Sequence, residues 1–138
     1  MWRAVALTIL LGGLGVATNA DAAAATRRCA GAQEVKSGMV RIKTYEVTTS
    51  PGDNAAAYTC RTAKRVAAGL AKKRLTDFEC TTKLFYDDGY GCGLKVGALP
   101  AFDCFRTAGG RHRFRIRCIG DKDRSVQFSM ADRENTDY

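Results

Sequence analysis

The chain has 138 residues, of which 46% are hydrophobic and 26% are charged, with only 2 prolines and 6 cysteines. This composition is that of one globular domain, and it excludes a multidomain protein, a low-complexity linker and an acidic disordered chain. With 22 Lys and Arg against 14 Asp and Glu, the formal net charge is +8, which on a small domain attracts polyanions at long range.

The first predicted segment, residues 1–22, has the pattern of a signal peptide. Arg3 supplies the positive charge, an apolar stretch runs from Ala4 to Val16, and residues 20–22 (ADA) fit a small-residue cleavage site. A helix of that apolar length spans about 20 Å, which is too short to anchor in a bilayer. We therefore expect cleavage between about residues 22 and 25 and a freely secreted, monomeric chain without a membrane span.

The next predicted element is a half-buried strand over residues 39–49 (MVRIKTYEVTT), in which β-branched and aromatic residues alternate with polar ones. The hydrophobic phase changes between Ile42 and Tyr45. This change predicts a β-bulge near Lys43 and Thr44, or two short strands.

An amphipathic helix is predicted from Thr59 to Arg74. Cys60, Ala63 and Leu70 are among the residues at helical spacing on its apolar side, and Thr59 or Asn54 is the expected N-cap. We expect a strand to pass close to Gly69, which is otherwise unfavourable inside a helix. The basic residues outside the apolar stripe are Arg61, Lys64, Arg65, Lys72, Lys73 and Arg74.

Every later element is predicted to be a strand. The segments are 78–86, 94–96, 102–106, 113–119 and 126–130, and residues 131–138 form a polar tail that we expect to be loose. In 113–119 (RFRIRCI), Phe114, Ile116 and Cys118 point to one face and the intervening arginines to the other. The order of elements predicts an α+β domain over residues 26–130, with one amphipathic helix packed on a disulfide-stabilised antiparallel sheet.

All six cysteines lie beyond the expected cleavage point, and an even number in an exported chain predicts three disulfides. A structural metal is not expected, because the sequence has no C-x-x-C and a single histidine, His112; no cofactor is implied either. Many pairings are open, and locality favours only Cys80 with Cys92, which flank a predicted Asp-Asp-Gly hairpin turn at 87–89. The six residues are Cys29, Cys60, Cys80, Cys92, Cys104 and Cys118.

Four short segments, three of which contain a cysteine, follow one another along the chain: YTCRTAKRVAAGL (58–70), AFDC (101–104), FRIRC (114–118) and SVQF (125–128). This order resembles the small secreted cysteine-framed domains of high-GC Gram-positive bacteria, whose function is uncharacterised, and the resemblance covers residues 29–130. It implies a frame of four cysteines, matched by Cys29, Cys60, Cys104 and Cys118, with the Cys80 and Cys92 segment as an insertion that has its own bridge. It implies a fold and an extracellular location, and no activity.

The basic excess favours a non-enzymatic domain that binds an anionic extracellular surface or partner, such as a cell-wall polymer. On one face of a strand, alternate arginines lie about 6.5 to 7 Å apart, near the phosphate spacing of an extended chain. The alternative is a solvated face that only protects the sheet from aggregation. The candidate polyanion-binding residues are Arg61, Lys64, Arg65, Arg111, Arg113, Arg115 and Arg117.

A second hypothesis is an inhibitor-like module that binds a secreted protein through a loop ordered by a disulfide. The candidate loop combines aromatic rings with carboxylates, a composition typical of recognition surfaces. The alternative is that its rings pack on the sheet. The loop residues are Phe85, Tyr86, Asp87, Asp88 and Tyr90.

A third hypothesis is a small secreted ribonuclease, which needs a carboxylate base, a histidine acid and arginines for the phosphate. The only residues that we can nominate are Glu46 as the base, His112 as the acid, and Arg113 or Arg115 as the phosphate ligand.

Overall fold

One helix connects two groups of strands. The computed structural model describes residues 25–38, 40–76, 80, 91–109 and 113–134. The predicted signal peptide and the predicted strand 78–86, apart from Cys80, therefore lie outside the described residues. The elements are β1 (Arg27–Cys29), β2 (Gln33–Ser37), β3 (Val40–Ser50), α1 (Cys60–Thr76), β4 (Cys92–Leu94), β5 (Phe102–Gly109), β6 (Arg113–Ile119) and β7 (Ser125–Glu134).

The strands form one antiparallel sheet of seven strands in the order β1-β3-β7-β6-β5-β4, with β2 beside β1 on the same edge of β3. β1 pairs with the second half of β3 and β2 with the first half. The last strand, β7, lies between β3 and β6 in the middle of the sheet. This confirms the predicted α+β class, with the helix on an antiparallel sheet.

Helix α1 begins as its sequence predicts and packs on one face of the sheet. Thr59 caps it, because its Oγ1 accepts a hydrogen bond from the backbone N–H of Thr62 at 3.2 Å. Its buried side consists mainly of small residues, so the helix approaches the sheet closely, and Leu70 alone contributes about 2 kcal/mol by burial. A Cβ on Gly69 would lie 2.6 Å from Val96 Cγ2, which explains the glycine: the segment after β4 passes against the helix there.

The core lies between α1 and the helix-facing side of the sheet. Alternate residues of the central strands point into it, and Ile42, Ile116, Val126, Phe128 and Met130 are fully buried. On β6 the predicted alternation is confirmed, since Phe114, Ile116 and Cys118 are buried and the arginines between them are not.

Three disulfides cross-link the described part of the chain. Cys29–Cys60 joins β1 to the start of α1. Cys104–Cys118 links directly opposed residues of β5 and β6, with a Cα–Cα distance of 4.0 Å. The structure also pairs Cys80 with Cys92, the pairing favoured by locality; closing such a short loop contributes about 3 kcal/mol in the chain-entropy model.

The bulge in β3 lies three residues beyond its predicted place. The register between β3 and β7 shifts between Tyr45 and Thr48, so Glu46 and Val47 form the bulge, rather than Lys43 and Thr44. The prediction was wrong because it counted Tyr45 as a core residue, whereas Thr44 is the buried residue at that point.

The predicted loose tail was also wrong over its first residues, because β7 continues to Glu134. Ala131 is buried, and the Asp132 carboxylate makes a bidentate contact with the guanidinium of Arg74. Residues 135–138 lie outside the described residues. In the described part of the chain, no helix has the length and apolar character needed to cross a membrane.

Candidate basic face of the sheet

The side of the sheet turned away from α1 carries a set of polar, basic and aromatic side chains. We call this side the open face. The strand registers place on it Lys43 and Tyr45 of β3, Gln127 and Ser129 of β7, Arg113, Arg115 and Arg117 of β6, and Phe105 of β5.

The arginines of β6 form a row through the middle of the open face. Arg113 is exposed, whereas Arg115 and Arg117 are partly buried by their neighbours on β5 and β7. Strand geometry separates successive members of the row by about 6.5 to 7 Å. The Nε of Arg117 is buried and has no hydrogen-bond partner among the described residues, so this side chain retains an unused donor.

Arg115 lies at the centre of a polar cluster that crosses three strands. Its Nη1 donates to the backbone oxygen of Glu46 at 2.9 Å and to Ser129 Oγ at 3.1 Å. Ser129 Oγ in turn donates to Glu46 Oε2 at 3.2 Å, and Arg115 Nη1 lies 3.8 Å from the same carboxylate oxygen. These contacts hold the guanidinium of Arg115 over Ser129 of β7.

Glu46 reaches this cluster through an unusual backbone conformation. It has a φ of 50°, in the left-handed region where glycine is favoured, and it stands in the bulge of β3. A non-glycine residue in that region costs about 1 kcal/mol or more. The side chain of Glu46 is 70% exposed, so its carboxylate meets solvent and any ligand on the open face.

Two aromatic side chains flank the arginine row. Tyr45 is partly exposed on β3, and the Nζ of Lys43 lies 5.6 Å from the centroid of its ring. Phe105, also partly exposed, stands directly opposite Arg117 in the β5–β6 pairing. Neither ring was predicted as a site residue from the sequence. For Tyr45 the missing information was the position of the bulge, which determines the face of the sheet on which its side chain lies.

The basic residues of the helix do not join this face. Arg61 and Arg65 are exposed and Lys64 is partly exposed on α1, which covers the opposite side of the sheet. Lys64 lies near Gly31 in the β1–β2 connection, and Arg65 lies near Gly97 in the segment after β4. The described members of the predicted polyanion-binding set therefore do not form one surface.

The sequence predicted Arg74 to be one of the basic helix residues outside the apolar stripe. Its side chain is instead largely buried. Its guanidinium makes a bidentate pair with the carboxylate of Asp132 on β7 and lies 5.1 Å from the ring centroid of Phe114. Burial lowers the pKa of Arg74 to about 10, which leaves the side chain charged at neutral pH. This residue anchors the end of the helix to the sheet.

A second polar cluster braces the turn between β6 and β7. Tyr58 donates a hydrogen bond to Asp121 Oδ1, and Arg124 donates to both carboxylate oxygens of Asp121 at 2.7 and 2.8 Å. Hydrogen bonds from Tyr58 and then from Arg124 hold the pKa of Asp121 below its ordinary value, and burial raises the pKa of Tyr58. The ring of Tyr58 packs on Phe102 in the core, so we assign the cluster a structural role.

Several predicted site residues lie outside the described residues. These are Arg111, His112 and the candidate protein-binding loop Phe85, Tyr86, Asp87, Asp88 and Tyr90. Their roles stay predictions. Within the described ranges, no group of three or more His, Cys, Asp and Glu side chains is arranged to hold a metal ion.

In comparisons with known proteins, no family model, no curated protein and no solved structure matches the chain.

Proposed function

We propose that the protein is a secreted, monomeric, non-enzymatic domain that binds an anionic extracellular polymer or partner through its open face. The observation that carries this proposal is the row of Arg113, Arg115 and Arg117 on β6, turned away from the core, with Lys43 of β3 on the same face across β7. Guanidinium groups at this spacing suit a chain of phosphates or other oxyanions, because each offers a planar set of donors.

The balance of charge on the open face supports an anionic ligand. Arg115 is partly neutralised by Glu46, but Arg113 and Lys43, which are aligned with each other across Ala131 of β7, are exposed. The whole chain adds a formal charge of +8, which attracts a polyanion before contact. Three disulfides fit an oxidising extracellular setting, as does the predicted signal peptide.

The test compares two variants with the same loss of charge. In the first, Arg113, Arg115 and Arg117 are changed together to Ser; in the second, Arg61, Lys64 and Arg65 on the helix are changed together to Ser. Retention on heparin resin is measured for both, together with binding of labelled DNA over a salt series. The slope of log K (the logarithm of the DNA association constant) against log salt concentration should become less steep by about 0.7 to 0.9 for each phosphate contact removed. We expect this change only in the strand variant.

Equal effects of the two variants would show that net charge alone drives binding, without a site. Unchanged retention of the strand variant would remove the open face from consideration.

A second candidate function, phosphodiester cleavage, is favoured by one observation. The carboxylate of Glu46 and the guanidinium of Arg115 lie 3.8 Å apart on a solvent-facing surface, as a base and a phosphate ligand need to. In that reaction Glu46 takes the proton of a ribose 2′-hydroxyl, the 2′-oxygen attacks phosphorus, and His112 protonates the leaving 5′-oxygen. Hydrolysis of RNA that is lost in both Glu46→Gln and His112→Ala supports this candidate, and turnover that survives them eliminates it.

A further inference from the structure

We propose that the ligand of the open face is single-stranded nucleic acid, with bases stacked on Tyr45 and on Phe105 and phosphates bound along the β6 arginines. This inference rests on the proposed function, because it assigns a chemical class to the anion that the same face binds. It adds two residues that polyanion binding alone does not require.

The two rings are placed as stacking platforms rather than as core residues. Tyr45 and Phe105 are both partly exposed on the side of the sheet opposite α1, although Phe102 in the same strand as Phe105 is 1% exposed. Aromatic side chains on a polar sheet face offer flat surfaces to unpaired bases of any sequence.

Each ring stands beside an arginine of the row. Phe105 is opposite Arg117 in the β5–β6 pairing. Tyr45 is opposite Ser129, which is opposite Arg115, and the Arg115 side chain crosses Ser129 to reach the backbone of Glu46, the residue next to Tyr45. A base on either ring therefore carries its phosphate towards a guanidinium.

The separation of the rings fits a single strand that crosses the sheet. Three strand spacings of about 4.8 Å and a register offset of two residues put the Cα atoms of Tyr45 and Phe105 about 16 Å apart. This is several times the rise of about 3.4 Å between stacked bases. The rings would hold bases that are not neighbours, while the intervening phosphates pass over Arg115 and Arg117.

A duplex does not fit this arrangement, because its bases are paired and stacked on one another and cannot lie on protein rings. Polyphosphate and wall teichoic acid offer the charge without a base. Acidic polysaccharides carry sugar rings, which could also pack on Tyr45 and Phe105. Heparin is therefore the competitor that distinguishes an acidic polysaccharide from a single-stranded nucleic acid.

The first experiment leaves the protein unchanged. Binding of a short oligothymidylate and an oligouridylate is compared with that of an abasic phosphodiester chain of the same length. We expect both base-containing strands to bind about tenfold more tightly or better, because each stacked base contributes separately from its phosphate. Equal binding of the abasic chain overturns the inference and leaves polyanion binding intact, whereas failure of all three to bind overturns both.

The second experiment removes the rings one at a time. Tyr45→Leu and Phe105→Leu should each weaken oligothymidylate binding by about fivefold to a hundredfold and leave its salt slope and the binding of inorganic polyphosphate unchanged. Tyr45→Phe and Phe105→Tyr keep a ring and should keep the affinity. A matching loss of affinity for heparin, or no loss for oligothymidylate in folded variants, overturns the inference.

Discussion

Arg115 on β6 reaches across β7 and donates a hydrogen bond to the backbone oxygen of Glu46 at 2.9 Å. The carboxylate of the same glutamate lies 3.8 Å from the guanidinium, on the solvent side of the sheet. Glu46 therefore occupies the position that an oxyanion of a ligand would take beside Arg115. The protein holds it there in a backbone conformation that favours glycine.

The first prediction concerns this residue. Glu46→Gly should raise the free energy of unfolding by up to about 1 kcal/mol, because glycine adopts the left-handed conformation without strain. Polyanion binding should strengthen several-fold, because a competing carboxylate is removed. Urea unfolding and DNA binding measure the two effects.

Glu46→Ala is the matched control. It removes the same carboxylate and keeps the strain, so its binding should match that of Glu46→Gly while its stability should not rise. Equal stability of the two variants would contradict backbone strain at position 46. Weaker polyanion binding in both variants would show that the Glu46 carboxylate does not compete with an anionic ligand.

The second prediction concerns the buried pair between α1 and β7. The side chains of Arg74 and Asp132 are only 10% and 11% exposed. Asp132→Asn removes the charge that compensates the buried guanidinium and should lower the free energy of unfolding by about 3 kcal/mol. Arg74→Met with Asp132→Leu should recover most of that loss, because an apolar pair needs no compensation. A loss below about 1 kcal/mol in Asp132→Asn would show that the pair behaves as an exposed one.

The third prediction concerns two buried hydroxyls. Oγ1 of Thr44 and Oγ1 of Thr49 are buried in the helix-facing side of β3 without a hydrogen-bond partner in the described structure. Thr44→Val or Thr49→Val should each stabilise the protein by about 1 kcal/mol, because valine has the same shape and no group to desolvate. Thr48→Val, on the open face, should change little. The stability of the three variants is measured by thermal unfolding. Destabilisation by Thr44→Val would show that Thr44 Oγ1 has a hydrogen-bond partner, which would contradict the prediction.

The fourth prediction concerns acid sensitivity. The pKa of Asp121 is lowered in the folded protein by hydrogen bonds from Tyr58 and Arg124. Its ionised form thus contributes stability at pH values above the ordinary aspartate pKa of about 3.9, and this contribution is lost as the pH falls through the lower folded pKa. Tyr58→Phe weakens that contribution, so its stability should fall less steeply than that of the unchanged protein between about pH 4 and pH 2. The free energies of unfolding of the two proteins, measured with urea, should converge as the pH falls through this range. A constant difference between them would contradict the role of Tyr58 in lowering the pKa of Asp121.

The α+β class and β6 were predictable because their signals are local. RFRIRCI alternates without interruption, and α1 combines a cap at Thr59 with a continuous apolar stripe. β1 and β2 were not predicted, since each is short and mostly exposed and is held as an edge by pairing with β3.

The candidate site was only partly predictable for a related reason. The β6 row follows from strand periodicity, but the partners of Arg115 come from β3 and β7, and no local pattern brings Glu46 and Ser129 together. The face of Tyr45 depends on a bulge whose position is set by pairing with β7. The burial of Arg74 depends on Asp132, distant in the chain.

The central claim, that the open face is the binding surface, is tested most directly by mapping backbone amide NMR shifts during titration with a polyanion such as oligothymidylate. The account predicts that the largest shifts lie at β5, β6 and β7 and near the bulge of β3, with α1 unaffected. Shifts concentrated at Arg61, Lys64 and Arg65 on the helix, or spread evenly over the surface, would contradict it.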